Sequence, residues 1–148
     1  MRVVAFDPGV TTGYAMGDIS EDGFMVIATG QEKWSQKDLY NNLEWYKPDY
    51  IVYESFEFRR KSRDNLVLYS RELIGVIELW ADVNNVRTHV QAPAHVMSYF
   101  TDGKLKDDNI YKPSKPHAND AARHLLYWYT FGPGYKWNQG GYSVGSRL

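Results

Sequence analysis

The chain predicts an α/β fold, a mixed sheet in which an antiparallel three-strand meander comes first and parallel strands follow, flanked by helices. Three observations predict it. The opening third holds three strand-like runs joined by turn signals. Beyond it, short β-branched runs alternate with segments whose apolar residues recur at helical spacing. The resulting order, βββαβαβαα, is that of a meander continued through crossover helices.

Arg2 to Phe6 is a β-branched and aromatic run closed by Asp7-Pro8-Gly9, and it reads as the first strand. Gly13 to Met16 and Phe24 to Ala28 read as the second and third, because the polar segment between them ends in Asp22-Gly23, a strong hairpin signal. Ser35 opens a helix in which Leu39, Leu43 and Tyr46 share a face, and Pro48 ends it. Tyr50 to Tyr53 is the fourth strand. From about Asp64 to Ala81, Leu66, Tyr69, Leu73, Val76, Ile77 and Trp80 mark a long amphipathic helix. Val86 to Val90 is the fifth strand, and Pro93 begins a short helix ending near Phe100. Ala118 to Tyr129 is the last helix. Residues 1–131 thus form one domain. Residues 132–148, with five glycines and few aliphatics, are expected to be a flexible tail that builds no core.

The 148 residues suffice for one core but not for two full α/β lobes. The absence of cysteine excludes disulfides and thiolate zinc sites. No signal-like N-terminus or long apolar stretch is present, so a soluble, cytoplasmic protein without a membrane partner is expected. The net charge of −1 hides an asymmetry: residues 1–58 carry four Lys or Arg against ten Asp or Glu, and residues 59–148 thirteen against eight. An acidic centre beside basic surface suits a nuclease, although a mixed solvated surface reads the same way.

Four potential metal ligands stand at the ends of hydrophobic segments. Asp7 and Glu54 each close a strand, which puts them side by side if their strands are neighbours, and His117 and Asp120 stand three apart on the last helix. Converging carboxylates repel one another unless a cation neutralises them, and such an oxygen-rich set suits Mg²⁺ or Mn²⁺. The chemistry this points to is metal-dependent phosphodiester cleavage. Each residue also has a plainer reading: Asp7 as the start of a turn, Glu54 as a solvated strand end, Asp120 as a dipole-favoured residue of a first helical turn, and His117 as a cap. His124, one turn beyond Asp120 on the same face, could support a ligand from behind, but is more simply read as a packed or exposed histidine.

Taken together, Asp7-Pro8-Gly9 with Thr12-Gly13-Tyr14-Ala15, a strand ending in Glu54, and His117-x-x-Asp120-Ala121-Ala122 resemble the RuvC-type Holliday junction resolvases, which have the RNase H-like fold. The match spans roughly residues 1 to 130, and the compact, aromatic-rich chain is more similar to bacteriophage versions. The resemblance implies that Asp7, Glu54, His117 and Asp120 hold two divalent ions about 4 Å apart, one activating a water and the other stabilising the leaving 3′ oxygen. It further implies 5′-phosphate and 3′-hydroxyl products, a four-way DNA junction as substrate, and a homodimer, the two-fold junction calling for paired sites.

For DNA contact, Ser55 to Arg63 places Arg59, Arg60, Lys61 and Arg63 directly after Glu54, with Phe56 or Phe58 available to stack at the junction centre. Lys104 and Lys106 resemble a basic stretch near the family's active site, and Lys112 and Lys115 are further backbone-contact candidates. In the tail, Tyr135, Lys136 and Trp137 suit stacking on unpaired bases. Three rivals remain. The Asp-Pro-Gly loop resembles that of sugar-kinase and actin-like ATPases, which need two lobes. A related nuclease would cut flaps, forks or RNA with the same residues. A noncatalytic module would grip branched DNA without cutting it.

Overall fold

The computed structural model describes residues 1–55, 65–146 and 148. Its centre is a six-stranded sheet in the order β5-β4-β1-β2-β3-β6. β1 (Arg2–Asp7), β2 (Thr12–Ser20) and β3 (Gly23–Glu32) form the antiparallel meander; β4 (Tyr50–Glu54) joins β1 in parallel and β5 (Arg87–Gln91) joins β4 in parallel. The expected mixed sheet is the observed one. Its hairpin turns at Glu21-Asp22, and Gly23 takes the positive φ of 109° that a side chain would resist.

Side-chain alternation divides the core into two layers. Val4 and Phe6 of β1 and Ile51 and Tyr53 of β4 face α1 (Gln36–Tyr46) and α2 (Asn65–Val83), where Leu39, Leu43, Leu73 and Ile77 are fully buried. Val3, Ala5, Tyr50 and Val52 face the opposite way, onto Ala121, Ala122, Leu125 and Trp128 of α5 (Pro116–Phe131). α1 starts where expected: Ser35 Oγ accepts from the amide of Asp38 while the Asp38 carboxylate accepts from the amide of Ser35, and the helix stops at Lys47 in the left-handed region before Pro48.

Between β5 and α5 lie α3 (Pro93–Tyr99) and α4 (Asp102–Asp107). α4 is absent from the sequence-based element order because six residues are too few to display a helical period. Thr101 caps it by accepting from the Lys104 amide at 3.3 Å.

The expectation for residues 132–148 is corrected. A 3-10 turn at Pro133–Trp137 folds back on α5, and β6 (Tyr142–Val144) pairs in parallel with β3. Trp137 stacks on buried Trp128 with ring centroids 5.9 Å apart, and Tyr142, Val144 and Leu148 pack against the same core. Gly134 lies against the Trp128 ring so closely that a Cβ would approach it to 2.6 Å. The segment has only two aliphatic side chains, Val144 and Leu148, and aromatic faces supply much of the burial. Trp137 is therefore a packing residue, not one left over for unpaired bases; Tyr135 remains exposed. Deleting residues 132–148 strips cover from Trp128 and Tyr129. A loss of about 3 kcal/mol or more is expected. Thermal melting of the truncated chain checks this, and an unchanged midpoint would show that the segment adds nothing to the core.

Candidate active site

Strand register brings the site together. Gly13 pairs with Asp7, Gln31 pairs with Gly13, and Gln91 pairs with Glu54. Since Phe6 pairs with Tyr53 in the parallel β1/β4 ladder, Asp7 and Glu54 are the next positions along it. The result is one cross-sheet row, Gln31, Gly13, Asp7, Glu54 and Gln91, running beneath the first two turns of α5. Alternation points the four side chains of this row to the α5 face. β1 and β4 are parallel, so both carboxylates emerge at the same, carboxyl-terminal edge of the sheet.

Every member of the row engages α5. Lys115, at the N-cap, supplies no side-chain hydrogen bond, and Gln31 Oε1 replaces it from β3, accepting from the amides of His117 at 3.0 Å and Ala118 at 3.3 Å. Gly13 lets the helix approach: a Cβ there would stand 1.8 Å from the carbonyl oxygen of His117. Asp7 Oδ2 lies 2.9 Å from His117 Nδ1. Glu54 Oε2 lies 3.3 Å from His124 Nε2, and the Gln91 amide holds the far side of that ring.

Asp120 is directed at Arg123, whose Nη1 donates to Oδ1 at 2.7 Å. The same guanidinium donates through Nη2 to Asp102 of α4 and through Nε to the carbonyl of Phe100, with only 8% of its side chain exposed. Arg123 thus supplies a fixed positive charge at the edge of the acidic group.

The electrostatics follow from this crowding. Burial, aided by the neighbouring Glu54 carboxylate and opposed by His117, raises Asp7 to about 6. Burial is the largest single influence on Glu54 and pushes it upward, but the hydrogen bond and attraction of His124, joined by Asp7 and His117, together outweigh it and leave Glu54 below its usual value. The two carboxyls thus separate, with Asp7 holding a proton longer. Asp120 is raised, chiefly by burial, against the pull of Arg123. The hydrogen bond to Asp7 raises His117.

This donor set fits a hard divalent cation. Three carboxylates and an imidazole supply mostly oxygen, and the upward pressure on Asp7, chiefly from burial and in smaller part from the Glu54 carboxylate, is what a bound cation would relieve. Asp7, Glu54, Asp120 and His117 are the residues that would hold it. Among the described residues no three such groups stand in a ligating cluster; Asp7 is paired with His117, Glu54 with His124 and Asp120 with Arg123.

Other sequence-based candidates fare differently. Phe56, Phe58, Arg59, Arg60, Lys61 and Arg63 lie outside the described residues. Lys104 Nζ sits 3.3 Å from the centroid of the Tyr99 ring and Lys106 Nζ 4.7 Å from that of Tyr111. Among the described residues neither bonds to a site carboxylate, and α4 reaches the site through Asp102 and Arg123 instead. Lys112 Nζ donates at 2.5 Å to the carbonyl of Thr29, and the Asn119 side chain clasps the Lys112 backbone through two hydrogen bonds. Gln31, Gln91 and Arg123 escaped the sequence reading; His124 was expected chiefly as a packed or exposed histidine with support of a ligand as the alternative, and the structure buries it and places it 3.3 Å from Glu54.

No protein-family model matches the chain. A crossover junction endodeoxyribonuclease RuvC of Prochlorococcus marinus (strain MIT 9312) is 29% identical over 139 residues, covering 85% of this chain and 82% of that protein. Among solved structures, a Thermus thermophilus RuvC in complex with Holliday junction substrate matches with a TM-score of 0.66 at 16% identity, over 88% of this chain and 95% of that one. A yeast mitochondrial Holliday junction resolvase matches at 0.60 and 15% identity, over 90% and 80%. The chain is RuvC-like in sequence and in fold, as its motifs indicated.

Proposed function

We propose that this chain is a divalent-metal-dependent endonuclease that cuts branched DNA, four-way junctions foremost. The observation that carries the reading is the pairing of Asp7 with Glu54 on adjacent strands of one sheet edge, with His117 and Asp120 brought over them by the first turns of α5. The similar Prochlorococcus protein, named a crossover junction endodeoxyribonuclease, supports the reaction, and the Thermus complex supports the substrate.

Mg²⁺ or Mn²⁺, when bound, supplies activation of water and stabilisation of the leaving 3′ oxygen, giving 5′-phosphate and 3′-hydroxyl ends. The protein's own part is placement. β1 and β4 fix the two carboxylates on rigid backbone, and Gln31 anchors the helix that carries His117 and Asp120. The basic residues that follow Glu54 in sequence would supply contacts to backbone phosphates.

Two such sites are needed to open a junction symmetrically, and α2 offers the surface for pairing. Its outward positions include Leu68, Leu79 and Val83, each more than 60% exposed, with open space at Gly75 between them. An exposed apolar stripe on a 19-residue helix suits a second copy of itself across a two-fold axis.

Cleavage of labelled four-way junction, flap, fork and linear duplex with Mg²⁺ or Mn²⁺ tests the reading. Paired, symmetric nicks in the four-way junction and none in the duplex are expected. Faster cutting of flaps or forks would reassign the substrate while keeping the chemistry. Binding of all branched forms without any cutting would leave only the noncatalytic module.

A further inference from the structure

Glu54 is constrained far beyond what a strand-end carboxylate needs. Its Oε2 faces Nε2 of His124 at 3.3 Å, and His124 has no solvent exposure at all. The other ring nitrogen, Nδ1, lies 3.1 Å from Gln91 Nε2, and that same nitrogen stands 2.9 Å from the carbonyl oxygen of His124.

This geometry settles which nitrogen carries the ring hydrogen. A backbone carbonyl can only accept, so the Gln91 atom beside it is the amide nitrogen and not the amide oxygen. Its two hydrogens then serve the carbonyl and Nδ1. Nδ1 accepts, so the hydrogen of the neutral ring belongs to Nε2 and points at Glu54. The arrangement leaves Gln91 Oε1 buried without a partner among the described residues, an unfavourable consequence of aiming the nitrogen.

We propose that His124, held in its Nε2–H tautomer by Gln91, is the positioning residue of Glu54, committing one carboxylate oxygen to the protein and presenting the other to a divalent cation. The inference rests on the metal-site reading above. A carboxylate already hydrogen-bonded through one oxygen binds a cation most readily through the other, and the bond fixes rotation of the group before the ion arrives. Both supports are on regular structure, Gln91 on β5 at the position paired with Glu54 and His124 two turns into α5, so the aim of Glu54 is set by the packing of helix on sheet.

The full chain is titrated with Mn²⁺ by calorimetry, comparing wild type with His124→Ala and His124→Gln, while heteronuclear NMR reads the tautomer of His124 in wild type. His124→Ala is expected to bind Mn²⁺ roughly ten- to a hundredfold more weakly. His124→Gln, whose amide nitrogen can replace the Nε2–H donor, is expected to recover most of that loss. Mn²⁺ binding by His124→Ala within twofold of wild type overturns the proposal, as does an equal loss in both variants, which would mark a packing role. If His124→Ala does not fold, the wild-type tautomer decides: hydrogen on Nε2 supports the proposal and hydrogen on Nδ1 overturns it. Absence of Mn²⁺ binding by wild type itself would sink the metal-site reading, and this proposal with it.

Discussion

Replacing Asp7 with Asn is expected to lower junction cleavage by at least about a thousandfold and, in the same protein, to raise thermal stability at pH 8 in chelator. The first effect follows from the proposed role of Asp7 as a charged ligand at the centre of the row, where the loss falls on transition-state charge stabilisation. The second follows from burial. Asp7 is raised to about 6 from an ordinary value near 3.8, so the folded chain holds this proton more tightly than the unfolded chain does. A carboxyl shifted this way favours the folded state below its unfolded value, and that advantage is lost as pH rises through about 6. Above that pH the folded state carries an ionised group against a second carboxylate, a penalty of at most about 3 kcal/mol and less for the share that His117 offsets.

Asparagine removes the charge, and in a domain of this size each kcal/mol recovered moves the midpoint by roughly 2–4 °C. Added Mn²⁺ should stabilise wild type and have little effect on Asp7→Asn. Melting curves at pH 5 and pH 8 provide the measurement. A variant no more stable than wild type at pH 8 would mean that Asp7 is not held against its neighbour.

Gly13→Ala is expected to be nearly as damaging to the site, although the change adds only one methyl group. The new Cβ would meet the carbonyl oxygen of His117 at 1.8 Å, its carbonyl carbon at 2.3 Å and the Ala118 nitrogen at 3.0 Å. All three are backbone atoms, so no rotamer change relieves the clash. The first turn of α5 must lift from β2, which pulls His117 and Ala118 off Gln31 and withdraws His117 from Asp7. A destabilisation of about 3 kcal/mol or more is expected. A displacement of about an ångström at the reacting groups is worth about a hundredfold in rate. Chemical denaturation and cleavage assays on Gly13→Ala would show both effects. Wild-type values in each would contradict so close an approach of α5 to β2.

The pairing of Asp7 with Glu54 was legible in the sequence because both close apolar strand runs, and a parallel neighbour relation then makes them adjacent. Apart from His124, which shares a helix face with Asp120, the partners of those residues were not legible. Gln31 and Gln91 are single polar residues near strand ends, and nothing in composition or spacing marks them; only register puts them in one row with the carboxylates. Arg123 and His124 interrupt the apolar face of α5, where a charge or an imidazole ordinarily looks like an outward-facing residue. Their function appears only once Asp102, Phe100 and Glu54 are brought against them from other elements. The terminal segment failed for another reason. Its burial relies on Trp137, Tyr142, Val144 and Leu148, spaced too irregularly to show any period, and its glycines serve close packing at Trp128 as well as turning.

The bond between Asp7 and His117 joins residues 110 positions apart, and this has a kinetic consequence. A contact of such long range forms late, since chain closure entropy must be overcome before it contributes anything. β1, although first in the chain, is a central strand flanked by β2 and β4, and its carboxylate receives its histidine only when α5 docks. Under the proposed function, a nascent or truncated chain lacking α5 would therefore hold the acidic strand ends without the residues needed to cut DNA.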